Sequence, residues 1–458
     1  MNNFDFTNKI MKNTLPSLLF IICSLLSSPA GAQKLWTIDD CISYAMQNNI
    51  TLQKSRLRLQ TASEEVRASK GALLPTVNAN TSQNLGYRPW QDNGMTTVTN
   101  GQVNTKVNKT YYNGSYGLNA QWTVWNGNKN HNNLRLSRLS EQQAELSVEE
   151  QANTIQERIS QLFVQCLYLH EAIGVSQASL ETSQKNEERG RQMVEVGKMS
   201  KAELAQLTAQ RASSEYAIVQ AQTQVSEYKR QLRQLLEITD VENFDIATLP
   251  VSDAQVLQEI PSLERVYETA LVQRPEIKNA QLAIKSNELE LKIAKAGWMP
   301  TLSLTGGVNT STNSLSSNGW GKQMKTNFNL AGGVSLSVPV IDARATRTKV
   351  NKAKIAQEQA QLELQHKQIE LHSTIESYWL NAVNHQQKFR SASATIESEQ
   401  ASYDLLQEQF QLGLKNIVEL MTGRDKLLAA KYQQLQSKYS AVLNCQLLKF
   451  YQGEIMKL

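Results

Sequence analysis

Proline, glycine and cysteine are all scarce in this chain. Its 458 residues include 9 prolines, 21 glycines and 4 cysteines, and the segments 126–249 and 343–458 contain no proline. Because proline breaks a helix, its absence allows very long helices there. The composition excludes a disordered chain, a collagen and a disulfide scaffold. Outside the N-terminal segment, Cys41, Cys166 and Cys445 lie far apart in helical patterns, so we expect buried thiols and no disulfide framework.

The sequence patterns of enzymes and metal sites are also missing. The chain has no GxSxG, GxGxxG or P-loop motif and no CxxC or HExxH motif, and its 5 histidines never fall four residues apart. We therefore predict that it is not an enzyme and that it has no cofactor and no metal site. Lysine and arginine alternate with aspartate and glutamate, giving a net charge of +5 without the basic runs of nucleic-acid binders. No nucleic-acid partner is expected.

The one long apolar run lies near the N-terminus. Lys12 precedes the run Leu18–Leu26, and Ala30-Gly31-Ala32 follows it. A basic start, a short apolar centre and an Ala-x-Ala end predict a signal peptide over 1–32, removed after Ala32. The run is too short for a transmembrane helix. Cys23 has no convincing lipobox around it, which favours cleavage at Ala32 over lipidation.

An internal duplication organises the rest of the chain. The first copy aligns without a gap with residues 225 positions later, as far as Pro75 and its equivalent Pro300. Further along, equivalent residues are 216 positions apart, as Gly197 and Gly413 are. The change of shift places an exposed loop between about 85 and 115 of the first copy. The predicted segments are a signal peptide (1–32), a first repeat (33–237), a linker (238–260) and a second repeat (261–458).

Each repeat contains two segments in which apolar and polar residues alternate. This period of two predicts strands, and both repeats keep the same phase. About ten residues suffice to cross a bilayer when a strand is tilted. Four strands cannot close a barrel, so strands that span a membrane must be pooled from several chains; a soluble sheet with one wet face is the alternative. The predicted strands cover about 76–85, 116–125, 301–309 and 328–340.

Long helical patterns follow each strand pair. Apolar residues recur every three or four positions over 127–196 and 343–412, and shorter returning helices follow at 201–236 and 417–452. A helix of seventy residues is a rod of ~105 Å. Such rods do not fold into an ordinary globule, but they can form the wall of a tube.

Glycine closes each long helix, and an acid lies six residues later. Gly197 precedes Glu203, and Gly413 precedes Glu419, on the first turn of the returning helix. Glycine commonly ends a helix. An acid at a helix start is stabilised by the helix dipole, which is the simpler interpretation of both residues.

Together these features resemble the TolC-like outer membrane factor family of efflux and export ducts. The resemblance covers the whole chain after the signal peptide, and it extends to Leu74-Pro75-Thr76, Met299-Pro300-Thr301, Arg274-Pro275-Glu276-Ile277 and the two glycine turns. It implies a mainly α fold with duplicated strand pairs and long antiparallel helical hairpins. A homotrimer then forms a twelve-stranded β-barrel in the lipid of a Gram-negative outer membrane, above an α-helical periplasmic tunnel. The implied partners are a periplasmic adaptor protein and an inner membrane pump of the RND or ABC type.

The resemblance also implies roles for residues at the two turns. Glu419 matches an acidic ring at the periplasmic mouth of the tunnel, and the family's second acid is replaced here by Thr422. Lys415 matches a basic latch residue whose partner corresponds to Glu203. Phe410 matches an aromatic latch residue but lacks a tyrosine hydroxyl. The implied adaptor-contacting positions are Gly197, Lys198, Met199, Ser200, Gly413, Leu414 and Asn416.

The leading hypothesis is therefore a passive outer membrane channel of a tripartite efflux or type I export system. A periplasmic or surface coiled-coil scaffold or adhesin, without channel activity, is the alternative. That alternative predicts a water-soluble chain that does not conduct ions. An ordinary porin fits less well, since porins devote most of their chain to strands.

Overall fold

The computed structural model describes residues 35–90, 95–99, 102–106, 109–240, 244–248 and 250–456, and the predicted signal peptide lies outside them. The chain is mainly helical, as predicted. The helices are α1 (Ile38–Asn48), α2 (Ile50–Gly71), α3 (Lys129–Glu195), α4 (Lys201–Leu236), α5 (Asp253–Val256), α6 (Leu263–Gln273), α7 (Pro275–Lys295), α8 (Trp320–Thr326), α9 (Ala345–Gln411) and α10 (Ile417–Tyr451). The strands are β1 (Leu35–Trp36), β2 (Thr76–Tyr87), β3 (Met95–Thr99), β4 (Gln102–Lys106), β5 (Thr110–Trp125), β6 (Asp245–Ile246), β7 (Thr301–Asn313) and β8 (Asn329–Ser337).

The chain divides into two compact units, and each unit takes a part of both predicted repeats. The first unit comprises 1–53, 151–273 and 371–458, and the second comprises 54–150 and 274–370. Each repeat thus supplies a helical turn to the first unit and two long strands to the second. The repeat boundaries themselves stay a prediction from the sequence.

The second unit is built around an antiparallel four-stranded sheet. Its order is β2-β5-β7-β8, so the two repeats meet where β5 pairs with β7. A separate hairpin pairs β3 with β4. Pairing extends β5 back to Thr110, opposite Tyr87, six residues before the alternation begins. β8 ends at Ser337, short of the predicted 340, because Pro339 has no amide hydrogen to donate to a ladder.

The register separates the side chains of this sheet into an apolar and a polar face. Leu118 lies opposite Val308, and Leu304 opposite Val334, on the same face. The apolar face carries Val77, Ala79, Leu118, Ala120, Trp122, Leu302, Leu304, Val308, Leu330, Val334 and Leu336. The opposite face carries Asn78, Asn80, Asn119, Gln121, Ser303, Thr305, Asn309, Asn329 and Ser335. An amide ladder crosses it, since Asn119 Nδ2 donates to Asn80 Oδ1 at 2.7 Å and Asn309 Nδ2 donates to Asn119 Oδ1 at 3.4 Å.

The helix that follows Trp36 and its equivalent in the second repeat are both interrupted, the second one before Pro275. In the first repeat α1 ends at Asn48, and Asn49 takes extended dihedral angles. Asn49 is the equivalent of Arg274 at the shift of 225. Its side-chain oxygen accepts a hydrogen bond from the Leu52 amide at 3.1 Å, and its side-chain nitrogen donates to the Leu235 carbonyl at 2.8 Å. The asparagine therefore caps the following helix without a proline.

The first unit has a buried apolar core along its helices. The buried positions include Ile155, Ile159 and Leu162 on α3 and Leu371 and Ile375 on α9. The three cysteines of the described chain are buried thiols that form no disulfide with one another, which confirms the expectation of core thiols. None of the helices in the described segments is both long and apolar enough to cross a membrane.

Candidate functional site: the two helical turns

Both turns of the first unit have a glycine in the left-handed region. Gly197 has a φ of +72° and Gly413 a φ of +75°, a conformation that glycine adopts without a steric cost. The backbone around each glycine closes the helix with the paired hydrogen bonds of a Schellman motif. These bonds run from Gly197 to Val194 (3.1 Å), from Lys198 to Met193 (2.8 Å), from Gly413 to Phe410 (3.0 Å) and from Leu414 to Gln409 (2.9 Å).

The returning helices begin with side-chain caps. The Ser200 hydroxyl accepts from the Glu203 amide at 3.2 Å, and Glu203 Oε2 accepts from the Ser200 amide at 2.8 Å, which is a capping box. Those hydrogen bonds, that from the Ser200 backbone first, hold the pKa of Glu203 below its ordinary value. At the second turn Asn416 Oδ1 accepts from the Glu419 amide at 3.0 Å. The Glu203 carboxylate thus has a structural role in its cap, whereas at the second turn only the backbone of Glu419 takes part.

The candidate latch residues take other partners within this chain. Lys415 forms an ion pair with Glu419, one helical turn away, while Glu203 closes the capping box. Both side chains of the Lys415–Glu419 pair are about 40% exposed (39% and 40%), so it contributes little to stability. The resemblance implies a contact between Lys415 and Glu203, but within the single chain these two residues take the other partners just described.

Phe410 lies in an apolar cluster between the two hairpins. It is buried with Leu207 of α4 and with Leu420 of α10, and Met199 packs against this cluster. A side chain in such a core needs no hydroxyl group, which explains why phenylalanine suffices here. Met199 is half-buried, whereas the other turn residues predicted to contact an adaptor are exposed: Gly197, Lys198, Ser200, Gly413, Leu414 and Asn416.

Sequence reasoning missed two apolar residues at the same turns. Val196 precedes Gly197 and is 68% exposed. Leu412 and Leu414 lie on either side of Gly413 and are 75% and 71% exposed. Large apolar side chains exposed together mark interaction surfaces. Their sequence signal was their position immediately beside each helix-closing glycine.

A buried carboxylate also joins α3 to α4 above the first turn. The Glu187 side chain is only 5% exposed, and its two oxygens accept from Arg211 Nε at 2.7 Å and from Arg191 Nη2 at 2.9 Å. Thr208 Oγ1 donates to it at 3.0 Å. The hydrogen bond from Arg191 contributes most to lowering the pKa of Glu187. The i, i+4 spacing of Glu187 and Arg191 was visible in the sequence, but the contact with α4 was not.

Arg424 is a second buried charge that the sequence did not reveal. Its Nη2 donates to Ser214 Oγ at 3.3 Å, whereas Nε and Nη1 are buried without a partner in the described part of the chain. Burial lowers the pKa of this guanidinium. Arg424 lines a cavity of about 540 Å³ together with Tyr403, Leu427 and Lys431. Among the described residues, no group of three or more histidine, cysteine, aspartate or glutamate side chains could hold a metal ion.

Long helices closed by capped turns, combined with an amphipathic sheet of membrane-crossing length, define a bacterial outer membrane channel protein. The chain belongs to the outer membrane efflux protein family, whose profile matches residues 41–237 and 266–454. The family consists of channels and not of enzymes. The protein is therefore an outer membrane efflux channel, and the coiled-coil scaffold is the weaker hypothesis.

Individual relatives are distant in sequence but similar along nearly the whole chain. The outer membrane efflux protein BepC of Brucella suis is 20% identical over 95% of this chain and 89% of its own length. The outer membrane protein TolC of Escherichia coli K12 is 23% identical over 95% of this chain and 85% of its own. The solved structure of the Campylobacter jejuni CmeC outer membrane channel has a TM-score of 0.76 at 18% identity, covering 92% of this chain and 87% of that one.

Proposed function

We propose that three copies of this chain form a passive duct, with a twelve-stranded barrel in the outer membrane and an α-helical tunnel in the periplasm. The observation that carries the proposal is the four-stranded sheet with free edges and two different faces. β2 and β8 are its edge strands, and open edges are not stable in lipid. Four strands are too few to close a barrel, whereas three copies supply an even number within the bacterial range.

The two faces assign the lipid and the lumen. The face with Leu118, Val308 and Val334 suits lipid, and the face with the Asn80–Asn119–Asn309 ladder suits water. Alternation of this kind, apolar outward and polar inward, is typical of membrane barrels with an aqueous lumen.

The turns supply the periplasmic mouth in this proposal. One Glu419 from each copy forms a ring of carboxylates, which attracts cations and narrows the passage. Lys415 lies against Glu419 in each copy and reduces the negative charge of the ring. Opening then requires that the α9–α10 hairpin move, with the cluster around Phe410 as its internal contact to α4.

The exposed apolar residues at the turns support docking of a periplasmic adaptor. Val196, Leu412 and Leu414 form the apolar part of this surface, and Lys198 and Asn416 add polar groups. A relative, CusC of Escherichia coli O157:H7, is a cation efflux system protein. By analogy the duct works as the outer component of a system with an adaptor and an inner membrane pump of the RND or ABC type.

Planar-bilayer conductance of the purified full-length protein tests the duct and its mouth together. We expect a trimer by mass, with small channels that multivalent cations block. Removing Glu419 and Glu203 by substitution with alanine should raise conductance and weaken the block. As a control, Glu264→Gln removes an exposed acid that also lies in the first turn of a helix, α6, away from the turns. A water-soluble monomer refutes the duct, and unchanged conductance and block in the double variant refute the gate.

A further inference from the structure

The short helix α8 packs against the apolar face of the sheet, at the end of the strands away from the long helices. Trp320 Nε1 donates to Tyr116 Oη at 3.3 Å, and the two rings meet edge to face with centroids 6.2 Å apart. Thr310 Oγ1 donates to the Met324 carbonyl at 2.8 Å. Tyr116 and Thr310 are paired across β5 and β7, on the same face as Leu118 and the other apolar residues below them.

Gln323 fixes the position of this helix. Its side chain is buried, its Oε1 accepts from the Asn313 amide at 2.8 Å, and its Nε2 donates to the carbonyls of Asn313 at 3.0 Å and Asn318 at 2.6 Å. Trp320, Gln323 and Met324 share the face of α8 that meets the sheet, as the i, i+3, i+4 spacing requires. The opposite face, with Lys322 and Lys325, is exposed.

The charges around α8 are all of one sign. From Thr301 to Ile341 the charged residues are Lys322 and Lys325 alone. Arg88 and Lys109, at the two ends of the other connection at this end of the sheet, are also basic. Exposed lysines three residues apart, above an apolar band and beside a tryptophan, have the arrangement of a helix at a membrane–water interface.

We infer that α8 is an interfacial helix that binds the phosphate groups of lipid A, the glycolipid of the outer leaflet, through Lys322 and Lys325. The inference rests on the proposed barrel, because only a sheet in the membrane brings α8 to the level of the headgroups. β7 follows α7 at one end of the sheet and α8 lies at the other end, so in the proposed barrel the two lysines meet the outer leaflet. Each lysine near an anionic surface strengthens binding by roughly fivefold, so the pair should contribute about 30-fold.

Native mass spectrometry of the full-length trimer, titrated with diphosphorylated lipid A, tests this inference. We expect Lys322→Gln combined with Lys325→Gln to weaken lipid A binding by about 30-fold and Lys322→Arg with Lys325→Arg to preserve it. Monophosphorylated lipid A should bind the wild type more weakly. The matched control is Lys292→Gln with Lys295→Gln, since these exposed lysines have the same spacing on α7 but precede β7 at the other end of the strand.

The inference is wrong if the Lys322/Lys325 glutamine variant binds lipid A as tightly as the wild type, or if the α7 control loses as much lipid A affinity. It is also wrong if the wild type binds phosphatidylglycerol as tightly as lipid A, because that result indicates a general attraction of anionic lipids. Conductance measured on the same samples keeps the two proposals apart. A variant that conducts normally but retains full lipid A binding refutes only the role of α8. A wild-type protein that binds lipid A but is neither trimeric nor conducting refutes the duct.

Discussion

Replacing Glu187 with glutamine should loosen the hairpin of α3 and α4. The wild-type carboxylate is buried and accepts from Arg211, Arg191 and Thr208. A glutamine side chain turns one acceptor into an N–H group that faces a guanidinium and leaves Arg211 with Glu215 as its remaining carboxylate partner. A hydrogen bond to a charged group contributes about 1.5–3 kcal/mol. Because the Arg191 side chain is 60% exposed, solvent screens its contribution to the stability of the hairpin. We therefore expect the hairpin to lose about 2 kcal/mol of stability.

Hydrogen exchange measured by mass spectrometry is the suitable assay, because it reports local opening of a segment within the intact folded protein. A loss of about 2 kcal/mol corresponds to roughly 30-fold faster exchange, which we expect in peptides from 183–195 and 204–215. Glu188→Gln is the control, since it makes the same change on the exposed neighbouring residue. Protection that is unchanged in Glu187→Gln, or reduced equally in Glu188→Gln, refutes the reasoning.

The same contact predicts a pH dependence. The hydrogen bond from Arg191, followed by those from Thr208 and Arg211, lowers the pKa of Glu187 against the opposing effect of burial. A lowered pKa means that the contact stabilises the hairpin fully above the ordinary glutamate value of about 4.3, and that this stability is lost as the pH falls through the native value. Wild-type protection should therefore approach that of Glu187→Gln in acid, whereas a constant difference between them contradicts the assignment.

Two further predictions concern the second turn and the cysteines. Gly413→Val should destabilise the turn by roughly 1–2 kcal/mol and reduce efflux in complemented cells. The cost arises entirely from the positive φ, since no atom lies within 4 Å of the position that a Cβ atom would take. Gly413→Asn is the control because asparagine tolerates the left-handed region, and normal efflux with valine contradicts the prediction. Burial raises the pKa of Cys166 to about 12 and of Cys445 to about 11, so iodoacetamide at neutral pH should label neither thiol in the folded protein and both in denaturant, whereas rapid labelling of the folded protein contradicts this.

Much of the architecture follows from local rules that are visible in the sequence. The absence of proline from two segments allows two helices of 67 residues each, and Gly197 and Gly413 mark where they end. Alternation around Leu118 and Val308 assigns the faces of the strands before their partners are known, because a period of two does not depend on the neighbour. The break at Asn49 is not visible in the sequence, because it depends on the hydrogen bond from the Asn49 side chain to the distant Leu235 carbonyl.

At the turns, the sequence by itself determined the glycine conformation and the acids in the first turn of the returning helices, since both depend only on residues close together in the chain. Only the tertiary structure decided which partners these groups take. Glu187 meets Arg211 across two helices, Phe410 enters a core shared by two hairpins, and Gln323 fastens α8 to the sheet. Such contacts depend on distances between segments far apart in the chain, and a one-dimensional pattern of charge and hydropathy does not encode those distances.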